Sequence, residues 1–306
     1  MKIQFILNLA SGGGKGEKVL SLLKSQTKLL GLAGDIALSH DPQEAQEIAI
    51  RSQKRGCGII VACGGDGTIH SLLPALVRRP AALGVIPIGT ANDLARSWGI
   101  PFQLKRALQV LQEGKPKAVD IIRTDSGKYI AGTAGIGFDA AVVRQAESLR
   151  KVAGGILPFS IAFFSELAHY PPSQVSLRAG NWEYEGPAWQ TLLTKIARYA
   201  YIFRITTSVK ADNGLMDICL IPDTPNLGVI TALPKLPFLG LKKLPGALFR
   251  TTPVVEIKSS PPVSIHGDGD LLGQTPETFR VLPKALRILA PQSGTPLRPL
   301  SFLGIR

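Results

Sequence analysis

The first third of the chain alternates between two spacings of apolar residues. Short continuous apolar runs, as at 2–9 and 58–62, are typical of buried strands, whereas recurrence every three or four positions, as at 15–30 and 43–52, is the helical spacing. The pattern predicts strands at 2–9, 35–39, 58–62 and 83–86, and helices at 15–30, 43–52, 68–77, 91–98 and 104–113. Strand and helix in turn indicate an α/β domain built on a parallel sheet.

The spacing changes after about residue 120. Short β-rich runs separated by Gly, Asn and Pro follow, among them "QVSLRAGNWEYEG", "LMDICLI" and "VVEIKSS", and they predict a β-rich sandwich. Two apolar stretches interrupt these runs, and we interpret 146–170 as a helix and 225–249 as a mobile excursion. The predicted organisation is an α/β domain over 1–121, to which a tail at about 291–306 returns, and a β-rich domain over 122–290.

Net charge narrows the classes of partner. The 306 residues include 35 Lys and Arg against 22 Asp and Glu, a net charge of +13, which favours nucleic acid, an anionic membrane surface or phosphorylated ligands. The chain has no concentrated basic run and no aromatic residues interleaved with basic ones, which argues against nucleic acid. Three scattered cysteines are typical of a reducing cytosol, and the apolar stretch at 152–168 is shorter than the roughly 20 residues of a spanning helix. We predict a cytoplasmic protein without a transmembrane helix.

A glycine-rich segment, "CGGDGT", joins the predicted strand at 58–62 to the next helix. The first amides of a helix lack partners within it, and phosphate oxygens satisfy them. Gly64, Gly65 and Gly67 would let a phosphate approach the backbone, but Asp66 would repel it unless the carboxylate serves a cation such as Mg²⁺. The alternative is a tight turn in which Asp66 or Thr68 caps the helix.

Two more loops follow predicted strands and open helices. "NLASGGGKGEK" begins at Asn8 and places Lys15 where it can neutralise a phosphate, and "PIGTANDLAR" carries Thr90, Asn92 and Asp93. Because parallel strands end at one edge of their sheet, the three loops can converge there on a nucleotide. Neither the P-loop nor the dinucleotide fingerprint is met.

These three motifs, in this order, resemble the diacylglycerol kinase catalytic-domain family, which includes bacterial lipid kinases and sphingosine kinases. The resemblance implies a nucleotide domain like that of NAD kinases and diacylglycerol kinases, a β-rich lipid domain, and ATP-dependent phosphorylation of a lipid hydroxyl, with diacylglycerol or a related lipid as acceptor. The nucleotide contacts that it implies are Asn8, Ser11, Gly12, Lys15, Ser39, Gly64, Gly65, Asp66, Gly67, Thr68 and Thr90. In this interpretation Asp66 and Asp93 fix the Mg²⁺ that accompanies ATP.

The family's C-terminal "DGE", whose Glu is the proton acceptor, resembles "HGDGD" in this chain. Asp268 and Gly269 match, and Asp270 replaces the Glu with a side chain one methylene shorter. We predict Asp270 as the catalytic base. The alternative is that Asp268 and Gly269 are simply a hairpin turn.

A structural magnesium site is the second place where the chain departs from the pattern. The resemblance assigns the ligands in "VKADNGLMD" to Lys210, Asn213 and Leu215, but Asn213 stands where the family has Asp. An amide oxygen binds a hard cation without contributing charge, so the site is weak or uses Asp212. Asp120 is interpreted as a solvated carboxylate or, less simply, as a group behind the active site.

The stretch at 227–250 mixes Leu, Ile and Phe with Lys and Arg, which suits the surface of an anionic membrane. The alternative is an ordinary helix pair. Three other functions stay open at this stage: a soluble kinase of the NAD-kinase type, a degenerate kinase that binds nucleotide without turnover, and a nucleic-acid-binding protein. The oligomeric state is unreadable, which leaves a homodimer open.

Overall fold

The computed structural model describes residues 2–9, 16–32, 34–149, 155, 157–199, 203–205, 210–223, 240–241, 244 and 246–291. The chain divides into two compact units, residues 1–117 with 287–306, and residues 118–286. The domain limits proposed from the sequence stay a prediction, and most of the tail, 292–306, lies outside the described residues.

The first unit is a parallel sheet with helices between its strands. Its strands are β1 (Lys2–Asn8), β2 (Gly34–Ser39), β3 (Cys57–Gly64), β4 (Ala82–Pro87) and the last residues of β17 (Glu277–Ala290), in the order β2-β1-β3-β4-β17. Its helices are α1 (Gly16–Leu29), α2 (Pro42–Lys54), α3 (Asp66–Leu76), α4 (Asp93–Ser97) and α5 (Leu104–Glu113). The predicted α/β domain with a parallel sheet is therefore confirmed.

Register brings the carboxyl ends of these strands to one edge. Asn8 at the end of β1 lies opposite Ser39 at the end of β2, and Gly64 at the end of β3 lies opposite Pro87 at the end of β4. The strands are continuous apolar runs because helices cover them, and residues such as Phe5 are fully buried. The loops that follow β3 and β4 consequently start side by side.

The second unit is built mainly from antiparallel strands. They are β5 (Lys115–Thr124), β6 (Tyr129–Ile130), β7 (Thr133–Gly137), β8 (Ser173–Ala179), β9 (Trp182–Thr194), β10 (Arg198–Tyr199), β11 (Phe203–Arg204), β12 (Met216–Pro222), β13 (Leu248–Thr252), β14 (Val254–Ser260), β15 (Ser264–Gly267), β16 (Asp270–Gln274) and β17. β8 alternates buried and exposed residues, and its Leu177 packs with Ile257 and Phe279 in the core of this unit. β9 pairs antiparallel with β7, β8 and β12.

The helical prediction at 146–170 was wrong in its limits. Two helices occupy this part of the chain, α6 (Phe138–Leu149) and α7 (Leu157–His169). The first begins directly after Gly137, whose φ of 103° ends β7 in a conformation that other residues rarely adopt. The segment "GIGF" therefore contains a strand end and a helix start, which the apolar pattern alone did not separate.

The predicted excursion at 225–249 lies largely outside the described residues. Its last residues belong to a strand, because β13 begins at Leu248 and pairs with β12. Among the helices of the described ranges, none is long and apolar enough to cross a lipid bilayer.

Candidate active site

The loops after β3 and β4 contact each other backbone to backbone. A Cβ placed on Gly65 would lie 3.1 Å from the Cα of Gly89, and a Cβ placed on Gly89 would overlap the Cα of Gly65. Only glycine permits this approach. The reason is the short distance between the two backbones and not an unusual backbone dihedral angle. Two of the three glycine loops therefore meet at the carboxyl edge of the sheet.

Asp66 joins these two loops through hydrogen bonds. Its carboxylate accepts the amide hydrogens of Asp93 at 2.9 Å and of Leu94 at 3.0 Å, at the start of α4. Its own helix, α3, begins at Asp66, and its N-cap residue is Gly65, which has no side chain to cap it. The Asp66 carboxylate caps the following helix, and a cap of α3 by Asp66 or Thr68 stays an alternative.

The side chains of Thr68 and Asn92 also form hydrogen bonds close to the carboxyl ends of the strands. Asn8 Nδ2 donates to Thr68 Oγ1 at 3.2 Å, and a Cβ on Gly64 would overlap that hydroxyl. Asn92 has a φ of 52°, and its side chain accepts from the amide of Gly89 at 3.1 Å and donates to the carbonyl of Gly89 at 2.8 Å. Asparagine tolerates this left-handed conformation better than most residues, since its amide bonds locally.

The predicted nucleotide contacts differ in exposure. Gly67 and Thr90 are exposed, Asp66 is partly exposed, and Ser39 is 1% exposed. Burial leaves Ser39 with little surface for a ligand. Ser11, Gly12 and Lys15 lie outside the described residues. The roles of all these residues in nucleotide binding stay predictions.

In the second unit, Asp268 and Gly269 form the turn of the β15–β16 hairpin. Their φ values of 53° and 92° are those of a two-residue turn that favours Asp-Gly. The Asp268 carboxylate accepts the amide hydrogens of Ala131 and Gly132, both at 2.8 Å, and of Thr133 at 3.0 Å. The hairpin alternative is therefore correct for these two residues.

Asp270 is the first residue of β16, pairs with Gly267 and is partly exposed. The turn fixes its backbone, so the hairpin geometry and a catalytic role for Asp270 are compatible. That role stays a prediction.

A pair formed by a buried histidine and a partly exposed aspartate beside this hairpin was missed. His266 Nε2 lies 2.7 Å from Asp139 Oδ2, and the imidazole is fully buried. Gly269 donates its amide hydrogen to the other ring nitrogen of His266, Nδ1, at 3.4 Å. A Cβ on Gly135 would overlap both side chains, so glycine makes room for the pair. A histidine inside the alternating run "VSIHG" was the only sequence signal.

The residues assigned to the structural magnesium site do lie together, but around a side chain of the protein. Lys195 Nζ donates to the Lys210 carbonyl at 2.9 Å, to Asn213 Oδ1 at 3.0 Å and to the Leu215 carbonyl. Asp120 Oδ2 lies 2.9 Å from the same ammonium. The interpretation of Asp120 as a solvated carboxylate is wrong, since its side chain is 0% exposed.

Within the described residues, no group of three or more His, Cys, Asp and Glu side chains is arranged to hold a metal ion. Asp212, the alternative ligand, is exposed.

Two of the three cysteines have thiols that are too buried to act as nucleophiles near neutral pH. Burial raises the pKa of the Cys219 thiol to about 12 and raises the pKa of the Cys63 thiol as well. Neither thiol is a nucleophile near neutral pH, because the thiolate is the reactive form.

Comparison with known proteins agrees with this arrangement. Residues 2–124 match the family model described as diacylglycerol kinase catalytic domain, and residues 132–290 match that of the YegS C-terminal NAD kinase beta sandwich-like domain. The chain therefore belongs to the lipid kinase family that these two domains define. A probable lipid kinase YegS-like of Pseudomonas syringae pv. syringae is 31% identical over 84% of each chain. A diacylglycerol kinase of Mycobacterium tuberculosis is 26% identical over 96% of each chain.

Solved structures establish the fold. A putative diacylglycerol kinase from Bacillus anthracis superimposes with a TM-score of 0.82 at 19% identity over 96% of each chain. An NAD kinase from Archaeoglobus fulgidus in complex with ATP gives a TM-score of 0.51 at 14% identity, over 99% of this chain and 97% of that one. The predicted fold class, a parallel α/β domain followed by a β-rich sandwich domain, is confirmed in both halves.

Proposed function

We propose that this protein is an ATP-dependent kinase that transfers the γ-phosphoryl group to the hydroxyl of diacylglycerol or a related lipid. The observation that carries the proposal is the backbone contact of Gly65 with Gly89, because it brings two glycine loops to one edge where helix α3 begins. Exposed amides at such an edge are suited to the oxygens of a triphosphate. Membership of a lipid kinase family supports the class of acceptor.

Recognition of the triphosphate rests on main-chain amides of the glycine loops, together with Lys15. The partly exposed carboxylate of Asp66 and the carboxylate of Asp93, a residue only 7% exposed, would hold the Mg²⁺ that accompanies ATP, and such an ion would neutralise part of the phosphate charge. A carboxylate oxygen can accept more than one contact, so the amide bonds of Asp66 are compatible with a cation on the same group. Phosphoryl transfer needs little more than such positioning and charge neutralisation.

Asp270 accepts the proton of the lipid hydroxyl. Asp270 is partly exposed, and the hairpin turn at Asp268 and Gly269 fixes the backbone immediately before it. General base catalysis of this kind contributes about 10² to 10⁴ in rate. The pair of His266 and Asp139 lies beside the same hairpin, and the Gly269 amide in the turn donates to His266.

Contact with an anionic membrane surface is part of the proposal. On α7, Leu157, Ile161 and Phe164 are 54%, 47% and 67% exposed, and their spacing places them on one helix face. The net charge of +13 favours an anionic bilayer over a neutral one. We expect Phe164→Ser to reduce sedimentation with phosphatidylglycerol vesicles, whereas an unchanged sedimented fraction would remove α7 from the membrane contact.

A phosphorylation assay tests the function. Labelled ATP, Mg²⁺ and a panel of lipids in mixed micelles are incubated with the full chain, with NAD as a parallel acceptor. Label in a lipid product supports the proposal. Label on NAD would assign the NAD-kinase activity that the fold also allows, and ATP binding without label in any product would indicate a degenerate kinase.

A further inference from the structure

A buried lysine occupies the centre of an oxygen-lined cage in the second unit. Lys195 follows β9 and is 3% exposed. Its Nζ is surrounded by oxygens of Asp120, Lys210, Asn213 and Leu215, at 2.9, 2.9 and 3.0 Å for the first three. We refer to these five residues as the lysine cage. An ammonium has three hydrogens to donate, so its donors are fully used.

Asp120 ties the loop at 210–215 to the rest of the unit. Its Oδ2 also accepts the amide hydrogen of Gly214 at 2.7 Å, and its Oδ1 accepts that of Lys284 at 2.8 Å. Its own amide donates to the Ala211 carbonyl at 2.7 Å. The loop therefore depends on one buried carboxylate, whose charge is balanced by the ammonium of Lys195.

Carbonyl, amide and carboxylate oxygens are also the ligands that a hard divalent cation selects. The site implied by the family resemblance consists of the same oxygens, those of Lys210, Asn213 and Leu215. In this chain the ammonium stands among them, so a divalent ion would have to displace Lys195 or lie beside its charge. The residues present do not fit a bound Mg²⁺.

The neutral side chain of Asn213 is consistent with a cage that contains one positive charge, the ammonium of Lys195. With Asp120 ionised and Lys195 protonated, the cage is neutral. An Asp at 213 would place a second carboxylate against the same ammonium, which would leave the cage with one net negative charge. The neutral amide at 213 and the buried lysine at 195 are therefore matched features of one cage.

We propose that the Lys195 ammonium is the built-in cation of the loop at 210–215, and that this loop binds no divalent metal ion. The order of the loop then depends on a side chain of the protein and not on the concentration of Mg²⁺. This inference concerns the second unit alone and does not rest on the proposed function.

Hydrogen–deuterium exchange and thermal unfolding of the nucleotide-free full chain test the proposal. Peptides that cover 210–215 are compared in EDTA, in MgCl₂ and in CaCl₂. We expect the exchange of the wild type to be identical in all three. Because the readout is local, metal bound elsewhere in the chain does not affect it, and the result is independent of kinase activity.

Two substitutions made together should convert the lysine cage into a metal-binding site. Lys195→Ala with Asn213→Asp removes the ammonium and restores a carboxylate, so we expect faster exchange at 210–215 in EDTA and recovery of protection in MgCl₂ or CaCl₂. The control Lys258→Ala removes an exposed lysine that pairs with Glu256, and it should show neither effect.

Metal-dependent protection of 210–215 in the wild type would overturn the proposal. If the double variant fails to fold, Asn213→Asp alone decides the question together with the wild type. With Lys195 still in place, this variant should gain no protection from MgCl₂, and a gain equal to that expected of the double variant would show that the ammonium does not exclude the ion.

Discussion

Asp66 in the first unit and Asp120 in the second both accept backbone amide hydrogens from residues far along the chain, as Asp268 also does. In the first unit, Asp66 accepts the amide hydrogens of Asp93 and Leu94, 27 and 28 residues further along the chain. In the second, Asp120 accepts those of Gly214 and Lys284, at separations of 94 and 164 residues. The hydrogen-bonding task is the same in both cases.

The two carboxylates differ in burial and in the origin of their counter-charge. Asp120 is fully buried and is paired with Lys195 inside the same cage, as a buried charge must be. Asp66 is partly exposed and stands among exposed backbone at Gly67. We interpret the carboxylate that is neutralised from within as structural, and the partly exposed one is the proposed ligand of a cation. The predictions below test this difference.

The largest expected effect is on Asp66. We expect Asp66→Ala to abolish turnover, because it removes a proposed cation ligand and leaves two amides at the start of α4 without their acceptor. Rates of lipid phosphorylation at saturating MgATP, with thermal unfolding in parallel, measure it. The matched control is Asp125→Ala, which removes an exposed carboxylate paired with Arg280. Turnover at the wild-type level in Asp66→Ala would contradict the proposed role.

The next effect concerns the proposed base. Asp270→Asn keeps the size of the side chain and removes its basicity, so we expect the affinity for ATP to be retained and kcat to fall by about 10² to 10⁴. Steady-state kinetics and a nucleotide-binding titration separate the two quantities. Glu183→Gln, at an exposed carboxylate of the same unit that pairs with Arg178, is the control. An undiminished kcat in Asp270→Asn would exclude Asp270 as the base.

Substitution of Asp120 should lower the stability of the protein and leave kcat nearly unchanged, unlike substitution of Asp270. Asp120→Asn leaves the Lys195 ammonium buried without its counter-charge, and breaking such a pair typically costs about 3 to 5 kcal/mol of unfolding free energy. Denaturant unfolding measures the loss, and kcat at a temperature where the variant is folded should stay close to that of the wild type. Glu256→Gln, at a partly exposed pair with Lys258, is the control. A loss equal to that of the control would mean that the cage does not hold the loop.

The same contrast explains what the sequence could predict. In the first unit the apolar spacing placed β1 to β4 and α1 to α5 within a few residues, since each element has its own local period. The last residues of β17, which pair with β4, were assigned instead to the β-rich domain. Convergence of two glycine loops also followed from local signals, because parallel strands end at one edge. The family resemblance added the nucleotide and base assignments, which no periodicity could supply.

The lysine cage could not be predicted in this way. It joins residues 120, 195, 210, 213 and 215, and no short stretch contains more than the last three. The available signal was a lone lysine in the apolar run "TLLTKIA" together with Asn213 in place of Asp. Each has an ordinary explanation when taken alone, and only the fold shows that they compensate each other.

The smallest expected effect tests whether the first unit depends on the contact between its two glycine loops. Gly89→Ala would place a Cβ against the backbone of Gly65, so the loops must separate, and overpacking of this kind costs about 1 to 3 kcal/mol. We expect weaker binding of ATP with unchanged hydrogen exchange at 210–215. Ser97→Ala, at the exposed end of α4, is the control. Wild-type affinity for ATP in Gly89→Ala would show that the close approach of the loops is not required, which would remove the main support for a triphosphate at this edge.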